Sequence, residues 1–192
     1  MLQAGEWKVF TRLQLFLPFD KEQMSRTLVI GYGSLDRADD GVAYYVINAL
    51  RRRLGQEMLS EDETGLEELG EQIDSIFLVQ LAPELMDVLA GYDQVIFVDA
   101  HVYENVDNLH CAPVVPEYAP ATFTHHMGPA MILALIKALY HREPAGHIVS
   151  IRGYDFDFHR DLSADTKALV EPAVEYILQS LIYRQEKLDA PD

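Results

Sequence analysis

The stretch Thr27 to Leu50, TLVIGYGSLDRADDGVAYYVINAL, decides how the rest of the chain is read. A short apolar run, Thr27 to Ile30, breaks at Gly31 and Gly33. Acids follow at Asp36, Asp39 and Asp40, and the chain then continues as a helix. Strand, glycine-rich turn and helix in that order make half of a βαβ unit. In open α/β sheets ligands bind just beyond the carboxyl ends of the strands, so this turn lies where chemistry is expected. It is a poor phosphate cradle. The dinucleotide pattern needs a third glycine where Asp36 stands, and no Gly-Lys-Ser/Thr is present. Three carboxylates at a helix start repel a phosphate and attract a cation. The plain alternative is that Asp39 or Asp40 caps the helix, which aspartate does well.

The 192 residues are 49% hydrophobic, enough for one ordinary core. No apolar run approaches the ~20 residues of a membrane span. The apolar patch Leu13 to Phe19 is short and has no small-residue cleavage site, so neither leader nor membrane insertion is expected, and the chain reads as cytoplasmic. Cys111 is the single cysteine, which excludes an internal disulfide and a thiolate metal cage. A formal charge of -16 argues against nucleic acid and anionic membrane as partners.

Residues 1–26 read as an N-terminal extension, with an edge strand around Val9 to Leu17 as the alternative. Residues 27–185 read as one α/β domain. Strands are expected at about 27–31, 75–80, 94–99, 111–117 and 147–152. Helices are expected from Gly41 to Arg53, from Pro83 to Gly91, from Pro129 to Tyr140 and from Ser163 to Tyr183. Gly55 is the expected end of the first helix. The helix PAMILALIKALY is apolar around most of its circumference and should be largely buried. The last helix is capped by Ser163 or Asp161, and Pro172 should kink it. Two prolines confine residues 112–118 to an edge or irregular strand. The acidic stretch 56–74 reads as a solvated loop with one helical turn near Leu66 to Leu69. Alternating strands and helices predict a three-layer αβα sandwich on a mostly parallel, mixed five-stranded twisted sheet.

Asp40 follows the first strand, Asp99 ends the third, and His125 precedes the most apolar helix. Two carboxylates and an imidazole form a mixed ligand set open to zinc, nickel, iron or manganese, with positions left for water or substrate. Such a metal would polarise a carbonyl or activate water, with Asp36 or Asp39 as base. No HExxH and no Gly-x-Ser-x-Gly is present, and Cys111 has no cationic neighbour to activate it.

Gly31-Tyr32-Gly33-Ser34 with Asp39-Asp40-Gly41, then Val98-Asp99-Ala100, then Thr124-His125-His126 ahead of an apolar helix, and finally VSIRGYDFDFHRDLSADTKALVEPAVEYIL follow one another in order. The combination resembles the hydrogenase maturation proteases, over roughly residues 27–181. Ser34 stands where that family usually has Asn, and Ala38 and Ala43 stand where glycines are frequent. The resemblance implies a twisted mixed sheet flanked by helices and assigns Asp40, Asp99 and His125 to metal contact and catalysis, with His126 beside His125 as the alternative. It further implies an endopeptidase that removes a C-terminal extension from the large-subunit precursor of a nickel-iron hydrogenase. Nickel is then a recognition element contributed by the substrate, with another divalent metal able to replace it in vitro. The competing functions are a metal-sensing maturation chaperone that does not cut and a nucleotide-binding α/β protein.

Overall fold

A computed structural model of the chain describes residues 25–118 and 127–189, with side chains described as far as residue 181. Five strands, β1 (Thr27–Tyr32), β2 (Ile73–Leu78), β3 (Gln94–His101), β4 (Leu109–Val114) and β5 (Ala145–Arg152), form one sheet in the order β2-β1-β3-β5-β4. The first four neighbours in that order run parallel, and β4 pairs antiparallel with β5 at the edge. This is the mixed, mostly parallel sheet expected.

The helices cover both faces. Helices α1 (Val42–Leu54) and α5 (Val170–Asp189) pack on one side, where Val46, Ile47 and Leu50 meet Val29, Ile96, Val98, Val174 and Ile177. Helices α2 (Met86–Leu89) and α3 (Pro129–Tyr140) pack on the other, where Leu89, Ile132, Leu133 and Ile136 meet Leu28, Ile30, Val95 and Phe97. Each such fully buried aliphatic side chain stabilises the fold by about 2 kcal/mol. A short helix α4 (Ala164–Ala168) precedes α5.

Several boundaries differ from the sequence expectation. Strand β2 lies two residues earlier than 75–80, because its partner β1 sets the register Thr27↔Ile73 to Tyr32↔Leu78 and leaves Val79 exposed beyond the ladder. Strand β4 ends at Val114 rather than 117, and Pro113 sits in it at the sheet edge, where a missing N–H is tolerated. The segment expected as a helix from Pro83 to Gly91 is a 3₁₀ turn, Pro83–Leu85, running into the single turn of α2. Helix α3 has the expected limits, but only Ile132, Leu133 and Ile136 are buried, and Leu139 faces outward. Neither Asp39 nor Asp40 caps α1, whose N-cap is Gly41 at the end of a 3₁₀ turn, Ala38–Gly41. Gly55 does end α1, in the left-handed conformation at φ 71°. The last helix is capped by Ser163, whose side chain accepts from the Thr166 amide. It breaks at Leu169, three residues before Pro172. Pro172 has no N–H for the carbonyl of Ala168, and its ring crowds that carbonyl.

The acidic stretch is tied down from within. Its one helical turn is a 3₁₀ turn, Leu66–Glu68. Arg51, in the last turn of α1, is buried beneath it and donates to the carbonyls of Glu57 and Ser75 and to the Glu68 carboxylate. Asp74 is buried too, accepting from the Tyr92 hydroxyl at 2.7 Å and from the amides of Gly70 and Glu71. Among the described residues no helix is long and apolar enough to cross a membrane. Replacing Arg51 by Met fills similar space but leaves two carbonyls and a carboxylate without their donor. Urea denaturation should show a loss of about 3 kcal/mol.

Candidate functional site

Strand order fixes where a crevice opens. From β1 the chain crosses to β2 on one side and returns through α2 to β3 on the other side. The carboxyl ends of β1 and β3 are therefore a topological switch point, where loops part and leave room for a ligand.

The turn after β1 is closed over that point. Gly33 has φ 145°, and a Cβ placed on it would lie 2.0 Å from the Asp40 carbonyl oxygen. Only glycine permits this crossing, and it brings Asp40 back over the end of its own strand. The Asp40 carboxylate is anchored there by the Ser34 amide, which donates to Oδ2 at 2.9 Å. Gly31, one turn lower, is needed for packing, since a Cβ there would meet Ile47 Cγ1 at 2.9 Å and Ala43 Cβ at 3.1 Å.

Asp39, the neighbour of Asp40, points the opposite way and is fully buried. Its Oδ2 accepts from the amides of Tyr154 and Asp155 at 2.8 and 2.9 Å and from the hydroxyls of Ser163 and Thr166 at 2.8 Å each. Its Oδ1 accepts from the Ser163 amide at 2.7 Å. Burial by itself would raise the pKa of this carboxyl, but the donors outweigh it and hold the pKa below its ordinary value. The carboxylate clamps the turn after β1 to the loop between β5 and α4. Backbone bonds from Ala38 N to the His159 carbonyl and from Asp39 N to the Asp155 carbonyl reinforce it. Ala38 holds φ 46° at the bend. Asp39 is thus a fully buried structural anion that accepts from five donors, where the sequence offered it as a base. Asp36, the other candidate base, is exposed and bonded to Arg160 at 2.8 Å.

Asp99 stands in β3 one position beyond the last residue paired with β1. Its Oδ1 accepts from the Ala100 amide at 2.8 Å, and the Tyr32 phenol bonds to the same carboxylate. Burial pushes the Asp99 carboxyl up to about 6. The Tyr32 and Ala100 donors oppose that rise, and the nearby charge of Asp40 adds to it. The Tyr32 hydroxyl is raised in turn by burial and then by Asp99. Asp40 and Asp99 thus stand at the ends of neighbouring strands, near enough for the charge of one to bear on the other. His125 and His126 lie outside the described residues. Among the described residues no group of three His, Cys, Asp or Glu side chains is placed to hold a metal. Helix α3 ends near the start of β5, so its first turn lies toward the crevice edge of the sheet. Glu117 N bonds the Ala130 carbonyl in that turn.

The sequence reading missed the roles of Tyr32, Ser150 and His101. His101 is buried, and its Nδ1 lies 2.9 Å from Ser150 Oγ. Burial, then the charges of His110 and Arg152, depress its pKa. The period of two along β3 places residues 99 and 101 on one face, a signal present in the sequence but unattached to any motif. Cys111 sits on β4 with its thiol pushed up to about 11 by burial, which suits an inert residue.

The same architecture occurs in solved structures. The hydrogenase-maturating endopeptidase HybD from E. coli superposes with a TM-score of 0.63 at 20% identity, over 83% of this chain and 93% of that one. An endopeptidase from Escherichia coli, solved in solution, gives 0.58 at 21% identity over 81% and 91%. The NiFe hydrogenase maturation protease HybD from Thermococcus kodakarensis gives 0.54 at 20% identity over 81% and 99%. The chain thus has the fold of these maturation endopeptidases, and at such identities the likeness is one of fold. No family model matches the sequence, and no curated protein is similar to it in sequence.

The two aspartates make opposite predictions. Asp39→Asn turns an amide N–H₂ or a weaker acceptor toward five donors and should cost about 3 kcal/mol or more in chemical denaturation. A loss below ~1 kcal/mol would show that the clamp is dispensable. Asp99 has a folded pKa above its ordinary 3.8, so its contribution is fully present below about pH 4 and is lost as pH rises through about 6. In the metal-free protein Asp99→Asn should therefore gain on wild type as pH rises from 4 to 8, by on the order of 2 kcal/mol at the top of that range.

Proposed function

We propose that the chain is an endopeptidase of the hydrogenase maturation type. It removes a C-terminal extension from the large-subunit precursor of a nickel-iron hydrogenase, and nickel already seated in the substrate is the recognition element. The observation that carries this reading is the placement of Asp40 and Asp99, each anchored by a backbone amide, at the switch point of a fold shared with such endopeptidases.

The donor set suits a divalent ion brought in by the substrate. Asp40 keeps Oδ1 available while Oδ2 is held by the Ser34 amide. Asp99 is oriented by Ala100 N–H and the Tyr32 phenol, the kind of supporting bonds that fix a metal-binding carboxylate. His125 completes the set by resemblance. An ion held by these groups would polarise a carbonyl or a water beside it. The chain's own part is to orient two carboxylates, to keep them partly out of water so that their charge acts at high strength, and to position the scissile segment across them. With Asp39 locked into the clamp and Asp36 paired to Arg160, neither serves as the proton acceptor of this reading.

A maturation chaperone that senses the metal without cutting would use the same pair, and the length of the partner's C-terminus separates the two. Nickel-loaded precursor incubated with wild type should lose mass at its C-terminus, and metal-free precursor should not. Asp40→Asn keeps size and can still accept from Ser34, so its melting temperature should change little. Its cleavage rate should fall by on the order of a hundredfold or more. Cleavage at the wild-type rate would remove Asp40 from the site. Cleavage of metal-free precursor at the rate of the loaded form would remove nickel recognition.

A further inference from the structure

On the crevice side of the sheet, the register aligns a row of polar residues across three strands. Asp99 of β3 pairs with Ser150 of β5, which pairs with His110 of β4. His101, two residues beyond Asp99, shares that face. Its ring is held on one edge by Ser150 Oγ at Nδ1 and on its plane by Tyr103, stacked with centroids 6.1 Å apart and planes at 18°. The other nitrogen, Nε2, is buried and has no hydrogen-bond partner among the described residues, with only 6% of the residue exposed. A buried polar atom without a partner carries a free-energy cost, and such atoms are rare enough in folded proteins to require a reason. Tyr103, stacked on the ring, is itself 63% exposed, so solvent and not core packing lies on its outer side.

The surroundings define what fits. Two carboxylates beside the row disfavour an anion. Ser150 Oγ holds Nδ1, so the ring has only Nε2 left to offer, and one nitrogen alone does not make a cation site. What remains is a neutral hydrogen-bonding group. Asp99 and His101 are separated along β3 by the two-residue repeat of an extended chain, roughly 6–7 Å. A polypeptide lying along the crevice in extended form presents equivalent amide groups at that same repeat. A segment whose one residue lies at Asp99 therefore meets His101 with the corresponding group two residues on.

We propose that His101 is a substrate-binding residue, whose Nε2 hydrogen-bonds the backbone of an extended polypeptide held beside the Asp40–Asp99 pair once Tyr103 swings off the imidazole. This rests on the peptidase reading for the identity of the polypeptide. It assigns a subsite on the β5 side of the crevice, distinct from the carboxylates themselves.

Two conservative variants test it, because Asn places its amide where Nδ1 stands and Gln places its amide where Nε2 stands. The full chain is compared with His101→Asn and His101→Gln. Binding of nickel-loaded hydrogenase large-subunit precursor is measured by interferometry, and cleavage by C-terminal mass. The Asn variant, which keeps the Ser150 contact and loses Nε2, should bind about tenfold more weakly. The Gln variant should stay within about threefold of wild type. A purely structural role for the Ser150 contact gives the reverse order in melting temperature and no change in affinity for Asn, and that result overturns the proposal. If wild type binds the precursor without shortening it, the peptidase reading fails and the affinity order still judges His101. If wild type cuts and the Asn variant binds as wild type does, the reading stands and the subsite falls. If wild type neither binds nor cuts, both fall.

Discussion

A single buried carboxylate, that of Asp39, holds the working edge of this molecule together. Five donors converge on it, four of them from a loop more than a hundred residues away in sequence and the fifth from the first turn of α4. An anion removed from water is costly unless its lone pairs are filled, and here they are filled by amides and hydroxyls rather than by a cation. The consequence is geometric. The turn after β1 cannot shift without stripping the carboxylate, so the loop after β5 and the helix it leads to are fixed to that turn.

That clamp in turn places Asp40. Adjacent residues on a tight 3₁₀ turn point in different directions, so once Asp39 faces inward, Asp40 faces the crevice. Gly33 completes the arrangement by letting the Asp40 carbonyl cross the end of β1. On the neighbouring strand Asp99 is held by Tyr32 and Ala100, and burial above all pushes its carboxyl upward, with a smaller push from the charge of Asp40. Two carboxylates are thus held in place at the ends of adjacent strands.

The large negative charge divides into two populations. Asp39, Asp74 and Glu68 work inside the fold, with Asp74 closing the turn before β2 and Glu68 covering the buried guanidinium of Arg51. The remaining acids are largely solvated, and their pairs with arginine at the surface, such as Arg52 with Glu171, contribute little. Net charge therefore speaks to solubility and choice of partner, while the architecture rests on a few acids that composition does not distinguish.

The apolar runs and the breaks between them were enough to state the layer order, the five strands and the limits of α1 and α3, because burial on both faces of a parallel sheet imposes continuous hydrophobic stretches. Glycines at 31, 33 and 55 marked positions where the backbone must turn or approach closely, and the structure uses them so. The positions of Asp40, after β1, and of Asp99, near the carboxyl end of β3, were also legible, since both adjoin apolar runs. Other features were not. Nothing in the pair Asp39-Asp40 says which carboxylate is buried, because that depends on donors at residues 154, 155, 163 and 166 brought near only by folding. Register shifted β2 by two residues, because a ladder is set by its partner and not by its own sequence. The contact of His101 with Ser150 joins two strands distant in the chain, and that its other nitrogen has no partner among the described residues is decided by what surrounds it in space. Local sequence thus determined which segments become strands and helices, while long-range hydrogen bonds decided which of their polar groups are scaffold and which face the crevice.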